Sequence, residues 1–353
     1  MTASRTRPSH LRRFVALVSG SYLLFMVVYL LARLVFQDRV WPVSLLNTFA
    51  HLLFLPLPVL LVAALLVRSR QAVLALLPVL ALAGVWFGPR FLPKNVPSDA
   101  VPVLRVMTNN VWRLNPTPNR VVDLIRAENP DVVFLQEVQL DTDQDTFAGL
   151  AAEYPYRSTL IDEMRLSIYA AVNLTLSKYP FISSEEVDLG LPPLPHIFRD
   201  VIEVQGQPVA LYNVHLVAPW QQRSFTSHDA TYFAQVALDF DDRERNQQLD
   251  ALLNLLADEP YPYIVAGDFN LSDVSVTYSR VMPYLHDSFA EAGNGFGGSW
   301  PMVAAYGWSG WIPAFIRMDY IWHSAGLQAV NAWQGTFVGS DHRPVLAEFS
   351  LDS

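Results

Sequence analysis

The chain has 353 residues, 52% of them hydrophobic and only 16% charged, whereas soluble proteins carry about 25% charged residues. Residues 1–100 hold 10 Lys/Arg against 2 Asp/Glu, and residues 101–353 hold 14 against 31, so a basic apolar segment precedes an acidic domain of net charge −17. This excludes a single soluble globule, and the absence of cysteine excludes disulfides, Cys–zinc sites and thiol nucleophiles together.

Taken in chain order, the first elements are apolar runs. Phe14–Phe36 is nearly unbroken, with Arg33 close enough to its end to snorkel. Asn47–Val67 follows and contains Pro56 and Pro58; a third, shorter run from Ala72 contains Pro78. A bilayer core needs about 20 apolar residues in helical form. The pattern therefore predicts a membrane anchor over 1–92 with three transmembrane helices, at about 14–36, 47–67 and 72–88. The first run is too long for a cleaved signal peptide, and no Ala-x-Ala site follows it.

Loop charge sets the orientation. Arg5, Arg7, Arg12 and Arg13 precede the first run, and Arg68 and Arg70 lie between the second and third. The positive-inside rule puts both groups on the cytoplasmic side. Three spans then leave everything after about residue 90 on the extracytoplasmic face, the expected setting being a bacterial plasma membrane. Residues 93–102, with Pro93, Pro97 and Pro102, read as a short stiff linker.

From Val103 onward, short β-rich runs alternate with helical stretches. Val103–Thr108, Asp131–Leu135, Val209–Leu216 and Tyr263–Ala266 read as strands, and Arg120–Glu128 as a helix. Arg243–Ala257 is an amphipathic helix with Leu249, Leu252, Leu253 and Leu256 on one face. This alternation over 103–353 predicts a layered α/β domain.

Polar clusters sit at the ends of these strands. They are Asn109-Asn110-Val111, Gln136-Glu137-Val138, Asn213-Val214-His215-Leu216 and Gly267-Asp268-Phe269-Asn270. Two more are Arg317-Met318-Asp319-Tyr320 and Ser340-Asp341-His342-Arg343-Pro344. One such cluster is usually a turn or a helix cap. Six of them at strand ends converge on one rim of a sheet. Carboxylates and Asn oxygens without cysteine suit a hard cation such as Mg²⁺ rather than zinc. Neither a P-loop, a dinucleotide fingerprint nor a Gly-x-Ser-x-Gly elbow is present.

The ordered set N-V, Q-E-V, N-x-H-L, G-D-F-N, R-x-D-Y and S-D-H-R-P resembles the endonuclease/exonuclease/phosphatase superfamily. The resemblance covers about residues 103–351. It implies a four-layer α/β sandwich of the deoxyribonuclease I type, preceded here by the three transmembrane helices. Val172–Pro180 also resembles the superfamily's G-N-A-I-L-S-R-Y-P stretch, with Val172 where a glycine is usual. Carried over residue by residue, the resemblance implies that Asn110, Glu137 and Asp341 hold Mg²⁺, with Mn²⁺ as a substitute. Asp268 would orient or deprotonate the attacking water, Asn270 would position the phosphate, and His215 would donate to an oxygen. Asp319 would fix the tautomer of His342, and either His342 or Asp268 would take the water's proton. Asn109 reads as a turn residue.

Three classes of function compete: a hydrolase of a lipid or lipid-linked phosphate, a membrane-tethered nuclease, and a non-catalytic binding module. Intact motifs argue against the last. A nuclease neutralises its substrate's backbone with Lys and Arg, and no basic cluster occurs after residue 101. Before Asp319, by contrast, Trp300, Tyr306, Trp308, Trp311, Ile312, Phe315 and Ile316 form an apolar aromatic stretch suited to a lipid interface. The expected partners are thus a phosphate-bearing membrane lipid and the bilayer, not nucleic acid, with the oligomeric state left open. Three spans followed by such a domain resemble the VanJ-type glycopeptide-resistance membrane proteins, which implies a polyprenyl phosphate as substrate. A sphingomyelinase- or phospholipase C-like phosphodiesterase is the alternative within the lipid class.

Overall fold

In the computed structural model the chain divides into two units, Met1–Leu92 with Val274–Val276, and Pro93–Asp273 with Thr277–Ser353. The structure describes residues 10–97, 100–139, 143–159, 171–189, 191, 197–220, 237–238, 240–307 and 310–351.

The first unit is helical: α1 (His10–Phe36), α2 (Trp41–Thr48), α3 (Pro56–Leu66) and α4 (Arg70–Phe87). At 1.5 Å per residue α1 is roughly 40 Å long, enough to cross a bilayer core. Leu17, Leu24, Val28, Leu31 and Leu34 on α1 are exposed, as are Val59, Leu65 and Leu66 on α3 and Leu74 and Val85 on α4. That much exposed aliphatic surface is disfavoured in water and favoured in hydrocarbon. Among the described residues two helices are long and apolar enough to cross a membrane, or three if the bent pair Trp41–Thr48 and Ala50–Leu66 counts as one span.

That pair differs from the straight helix expected over 47–67. It begins six residues earlier and bends by 72°. The chain leaves α geometry at Phe49 and crosses Ala50–Phe54 as a 3-10 turn ahead of Pro56. Pro56, at the first turn of α3, has no N–H to donate, so the backbone hydrogen-bond ladder is interrupted where the 3-10 turn meets α3. Asn47, fully buried, ties the bend to α1. Its Nδ2 donates to Gln37 O (3.0 Å) and Asp38 Oδ1 (2.7 Å), and its Oδ1 accepts from Tyr29 OH (3.0 Å).

The second unit holds two six-stranded sheets. One has the order β11-β12-β1-β2-β4-β3, built from β1 (Leu104–Asn110), β2 (Val132–Gln139), β3 (Tyr156–Thr159), β4 (Ala171–Ser177), β11 (Leu327–Gln334) and β12 (Val345–Leu351). The other has the order β5-β6-β7-β8-β10-β9, built from β5 (Phe181–Val187), β6 (Ile197–Val204), β7 (Gln207–His215), β8 (Tyr263–Asp268), β9 (His286–Asp287) and β10 (Asp319–His323). The central strands are apolar on both faces because both faces are covered. Val106, Phe134, Leu211 and Ile264 enter the core between the sheets. Their neighbours Met107, Val133 and Leu135 pack outward with Val121 and Ile125 of α5 (Asn119–Glu128). On the other side Tyr212 and Val265 pack with Leu249, Leu252 and Leu256 of a long helix, Arg243–Ala257. The period-2 alternation of a strand thus separates three cores and makes four layers. The expected α/β sandwich is the observed fold.

Topology brings the strand ends together. β1 runs parallel to β2, and β7 parallel to β8, so Asn110, Glu137, His215 and Asp268 all lie at C-terminal ends. β10 is antiparallel to β8 and pairs Asp319 with Asp268, which starts β10 on the same rim. β12 is antiparallel to β1, with Val345 opposite Thr108, so Asp341 and His342 just before it reach that rim too.

Candidate active site

Two backbone features aim the rim side chains. β2 loses register with β4 between Leu135 and Val138, and Glu137 in that bulge has φ 58°. Bulges re-aim side chains, and a positive φ outside glycine is uncommon. Gly267 has φ 146°, and a Cβ there would meet Val214 O at 1.7 Å. Only glycine lets β8 lie against β7 immediately before Asp268.

The structure brings six of the eight expected residues into one connected cluster. Asp268 Oδ2 is its centre: Asn110 Nδ2 donates to it at 3.1 Å, His342 Nε2 lies at 3.6 Å and His215 Nε2 at 3.7 Å. Glu137 Oε1 accepts from Asn110 Nδ2 at 3.1 Å and lies 4.0 Å from His215 Nε2. Asp319 Oδ2 lies 2.8 Å from His342 Nδ1. Asn270 joins through its backbone, its N–H donating to Asp268 Oδ1 (2.9 Å), while its side-chain Nδ2 donates to Leu216 O (2.9 Å). Among the described residues no side-chain hydrogen bond joins Asp341 to the cluster; it feels the charges of His342, Glu137 and Asp268, and its Oδ2 accepts from Tyr306 OH at 2.6 Å. Asn109 turns away, its Nδ2 donating to Asn110 O.

Burial sets the electrostatics. It pushes the Asp268 carboxyl up, with help from the charge of Asp319 and against His342 and His215. It also pushes Asp341 up to about 6, with Glu137 adding to the rise and His342 opposing it. For Glu137 burial also raises, but His215, the Asn110 amide, the Arg113 N–H and His342 outweigh it and hold the carboxyl below its usual value. Burial would lower His342, yet Asp319, Asp268 and Asp341 surround it and raise it well above an ordinary histidine. The cluster is a packed array of carboxylates around the imidazoles of His342 and His215.

Such an array suits a divalent cation. Glu137, Asp341 and Asn110 offer only oxygen donors, the chemistry of a hard ion. Asp341 Oδ1 is buried with no hydrogen-bond partner among the described residues, as is Asp319 Oδ1. Asn110 departs from this picture, because its oxygen accepts from Trp112 N–H (2.9 Å) and its nitrogen faces the carboxylates. Rotation of its terminal bond exchanges the two. Among the described residues, the His/Asp/Glu trio with ligand atoms all within 4.8 Å of one another is Asp268, Asp319 and His342, a different set. In that trio the Asp319–His342 hydrogen bond occupies Nδ1 of the imidazole and leaves Nε2 facing Asp268.

Three contributors are not among the residues expected to form the site. Tyr306, read only as part of an aromatic stretch, bonds Asp341 and packs edge-on against Trp112, 5.7 Å between centroids. Gln136 Nε2 donates to Asn213 Oδ1 (2.8 Å), coupling the two sheets beneath the rim. Arg245, 2% exposed on the helix Arg243–Ala257, donates to Asn270 O (2.7 Å) and to Asp242 Oδ2 (3.1 Å). One turn on, Gln248 Oε1 accepts from Val217 N (2.8 Å). The helix therefore braces both loops that follow β7 and β8. Arg245→Met is expected to lower kcat on the order of 10²-fold through misplacement of Asn270 and Asp268, with a small change in KM. Steady-state kinetics on protein with unchanged circular dichroism checks this, and Arg245→Lys should recover part of the loss.

The fold and this rim define a phosphoester hydrolase of the α/β-sandwich class. Residues 107–342 match the model of the Endonuclease/Exonuclease/phosphatase family, and the chain belongs to that family. No curated protein matches the chain. Among solved structures it is similar to an endonuclease/exonuclease/phosphatase from Beutenbergia cavernae DSM 12333, at 24% identity and TM-score 0.53, covering 71% of this chain and 72% of that one. A humanized D. rerio TDP2 shares 20% identity at TM-score 0.54, with 70% and 98% covered. An endonuclease/exonuclease/phosphatase from Bacteroides vulgatus shares 19% at TM-score 0.53, with 70% and 99% covered. At these identities the likeness is one of fold.

Proposed function

We propose that the chain is a Mg²⁺-dependent phosphoester hydrolase held at the extracytoplasmic face of a bacterial plasma membrane, acting on a lipid or lipid-linked phosphate such as a polyprenyl phosphate. The observation that carries the reading is the joining, in one chain, of the carboxylate–histidine rim to helices whose outer surfaces are aliphatic. The acidic charge of residues 101–353 supports it, since a polyanionic nucleic acid gains nothing from such a surface.

In this mechanism Asp268 Oδ2, the point on which Asn110, His215 and His342 converge, accepts the proton of the attacking water. Asp319 holds Nδ1 of His342 and so directs Nε2 toward the same point, where it donates to a phosphoryl oxygen as negative charge builds. His215 donates a proton to the leaving oxygen as the bond from that oxygen to phosphorus breaks and the water oxygen bonds to phosphorus, and Asn270 positions the phosphate once its amide leaves Leu216 O. Glu137, Asp341 and a rotated Asn110 would hold the cation, whose charge neutralises the phosphate and polarises its oxygens.

The test uses purified full chain in nanodiscs with Mg²⁺, offered lipid phosphates, soluble p-nitrophenyl phosphate and plasmid DNA. Bilayer-embedded substrate should turn over fastest, because the tether concentrates enzyme and lipid on one surface while the soluble ester gains nothing from it. Phosphate release against head-group release separates a phosphatase from a phospholipase C-like enzyme. Cleavage of plasmid without activity on any lipid would replace this reading with the nuclease one.

Topology is tested separately and is favoured by the absence of native cysteine. A single cysteine in place of Tyr284, which is 67% exposed, should react with a membrane-impermeant maleimide in intact cells. Labelling only after lysis would reverse the orientation.

A further inference from the structure

From Ala292 to Ile316 the acidic domain carries no charged residue at all. The end of this run forms a loop closed at its base by a two-way backbone bridge, Trp300 N to Ile316 O (2.9 Å) and Ile316 N to Trp300 O (2.8 Å). Trp300 is fixed by stacking on Trp220 at 5.2 Å between centroids. The tip is the opposite of the base. Trp311 is 93% exposed and Ile312 43% exposed, although each has an apolar side chain. Trp308 of the aromatic stretch lies outside the described residues. Between base and tip, Met302 N–H donates to Asp341 O (2.7 Å) and Tyr306 OH to Asp341 Oδ2, so the loop is attached to the catalytic rim.

We infer that the Trp311–Ile312 tip docks into the interfacial layer of the outer leaflet, resting on the reading above that the helical unit spans the bilayer. An indole with an apolar body and one N–H donor partitions to the head-group region, where both parts are satisfied. Among the described residues of the tip, Trp311 and Ile312 present far less area than the roughly 800 Å² per partner that a stable protein interface buries, so the tip suits a bilayer better than a protein partner or a second copy of the chain. The loop's lack of acidic residues removes the repulsion that the rest of the domain would feel from anionic lipid head groups. The anchor supplies proximity, so a small contact suffices to keep the tip engaged. Through Tyr306 and Met302 the docked loop is joined to Asp341 of the rim.

The absence of native cysteine permits a direct test. Ile312→Cys keeps Trp311 and is labelled with an environment-sensitive nitrobenzoxadiazole probe in full-length protein, in nanodiscs of phosphatidylcholine and phosphatidylglycerol. Tyr284→Cys, near β9 on the rim opposite the catalytic one, is the aqueous control, and Leu24→Cys, 64% exposed on α1, is the membrane control. The probe at position 312 should show blue-shifted emission, several-fold stronger quenching by head-group nitroxide lipids than the probe at position 284, and weaker quenching by iodide. Adding Trp311→Ser to the Ile312→Cys protein should return its probe toward the behaviour of the aqueous control. The same Trp311→Ser change should lower turnover of embedded lipid phosphate several-fold and leave p-nitrophenyl phosphate turnover unchanged. Lipid quenching of the membrane control together with a fully aqueous probe at position 312 would overturn this inference and leave the anchor intact. An unquenched membrane control would instead remove the anchor reading itself.

Discussion

Asp319→Ala, His342→Ala and the double variant should lose activity by nearly the same factor, each on the order of 10²–10⁴-fold. Asp319 Oδ2 lies 2.8 Å from His342 Nδ1, and Asp319 is fully buried. Its place is set by register, opposite Asp268 in the β8–β10 pair, and by its N–H, which donates to Ser299 Oγ (3.1 Å). The carboxylate has one functional task, to keep the imidazole charged and turned so that Nε2 faces Asp268 Oδ2. Without Asp319 the ring is present but neither oriented nor stabilised as a cation. Without His342 the carboxylate has nothing to orient. Each single variant therefore removes the same act of catalysis, and the second adds little. Kinetics of the three variants, with thermal unfolding to show that each still folds, is the measurement. Losses that multiply would mean two independent roles and would break the pair.

The layered α/β domain was legible in the strand pattern because its central strands are buried on both faces, whereas the four-layer sandwich followed from the resemblance of the ordered motifs. Runs such as Val132–Leu135 and Ile264–Ala266 must be apolar throughout, and each ends abruptly in a polar cluster. The convergence of those ends was legible for the same reason, since parallel strands such as β1 and β2 place their C-terminal residues side by side. What periodicity does not carry is tertiary pairing. Leu249, Leu252 and Leu256 mark the buried face of their helix, but nothing in a 3.6-residue repeat distinguishes the buried Arg245 from a solvated arginine. Its burial depends on Asn270 O and Asp242, 25 residues downstream and three upstream. Tyr306 is hidden in the same way, because its partner Asp341 lies 35 residues on, across a loop. The bend in the second apolar run leaves no mark in hydropathy, which averages over the break at Phe49 and reads the run as straight.

Chelation should abolish activity, and Mg²⁺ or Mn²⁺ should restore it. The expectation follows from the charges the fold has already assembled. Glu137, Asp268, Asp319 and Asp341 are held at one rim, with the imidazole of His342 among them and the half-buried His215 ring beside Asp268. Burial has pushed Asp341 up to about 6, a measure of how poorly its charge is solvated. A divalent cation among these oxygens relieves that repulsion in the folded state alone, so it should also raise the unfolding temperature, and chelator should lower it. Glu137→Gln is the sharper test. It keeps the side chain's shape, and its oxygen can still accept from Arg113 N–H, which lies 3.2 Å from Glu137 Oε2. What it removes is a full negative charge on a candidate ligand. The Mg²⁺ concentration for half-maximal activity should rise by at least about tenfold, with the loss partly recovered at high Mg²⁺. Thermal stabilisation by Mg²⁺ should weaken in parallel, which separates lost metal affinity from lost chemistry. Full activity in chelator, or a Glu137→Gln protein with unchanged Mg²⁺ dependence, would remove the cation from Glu137 and Asp341.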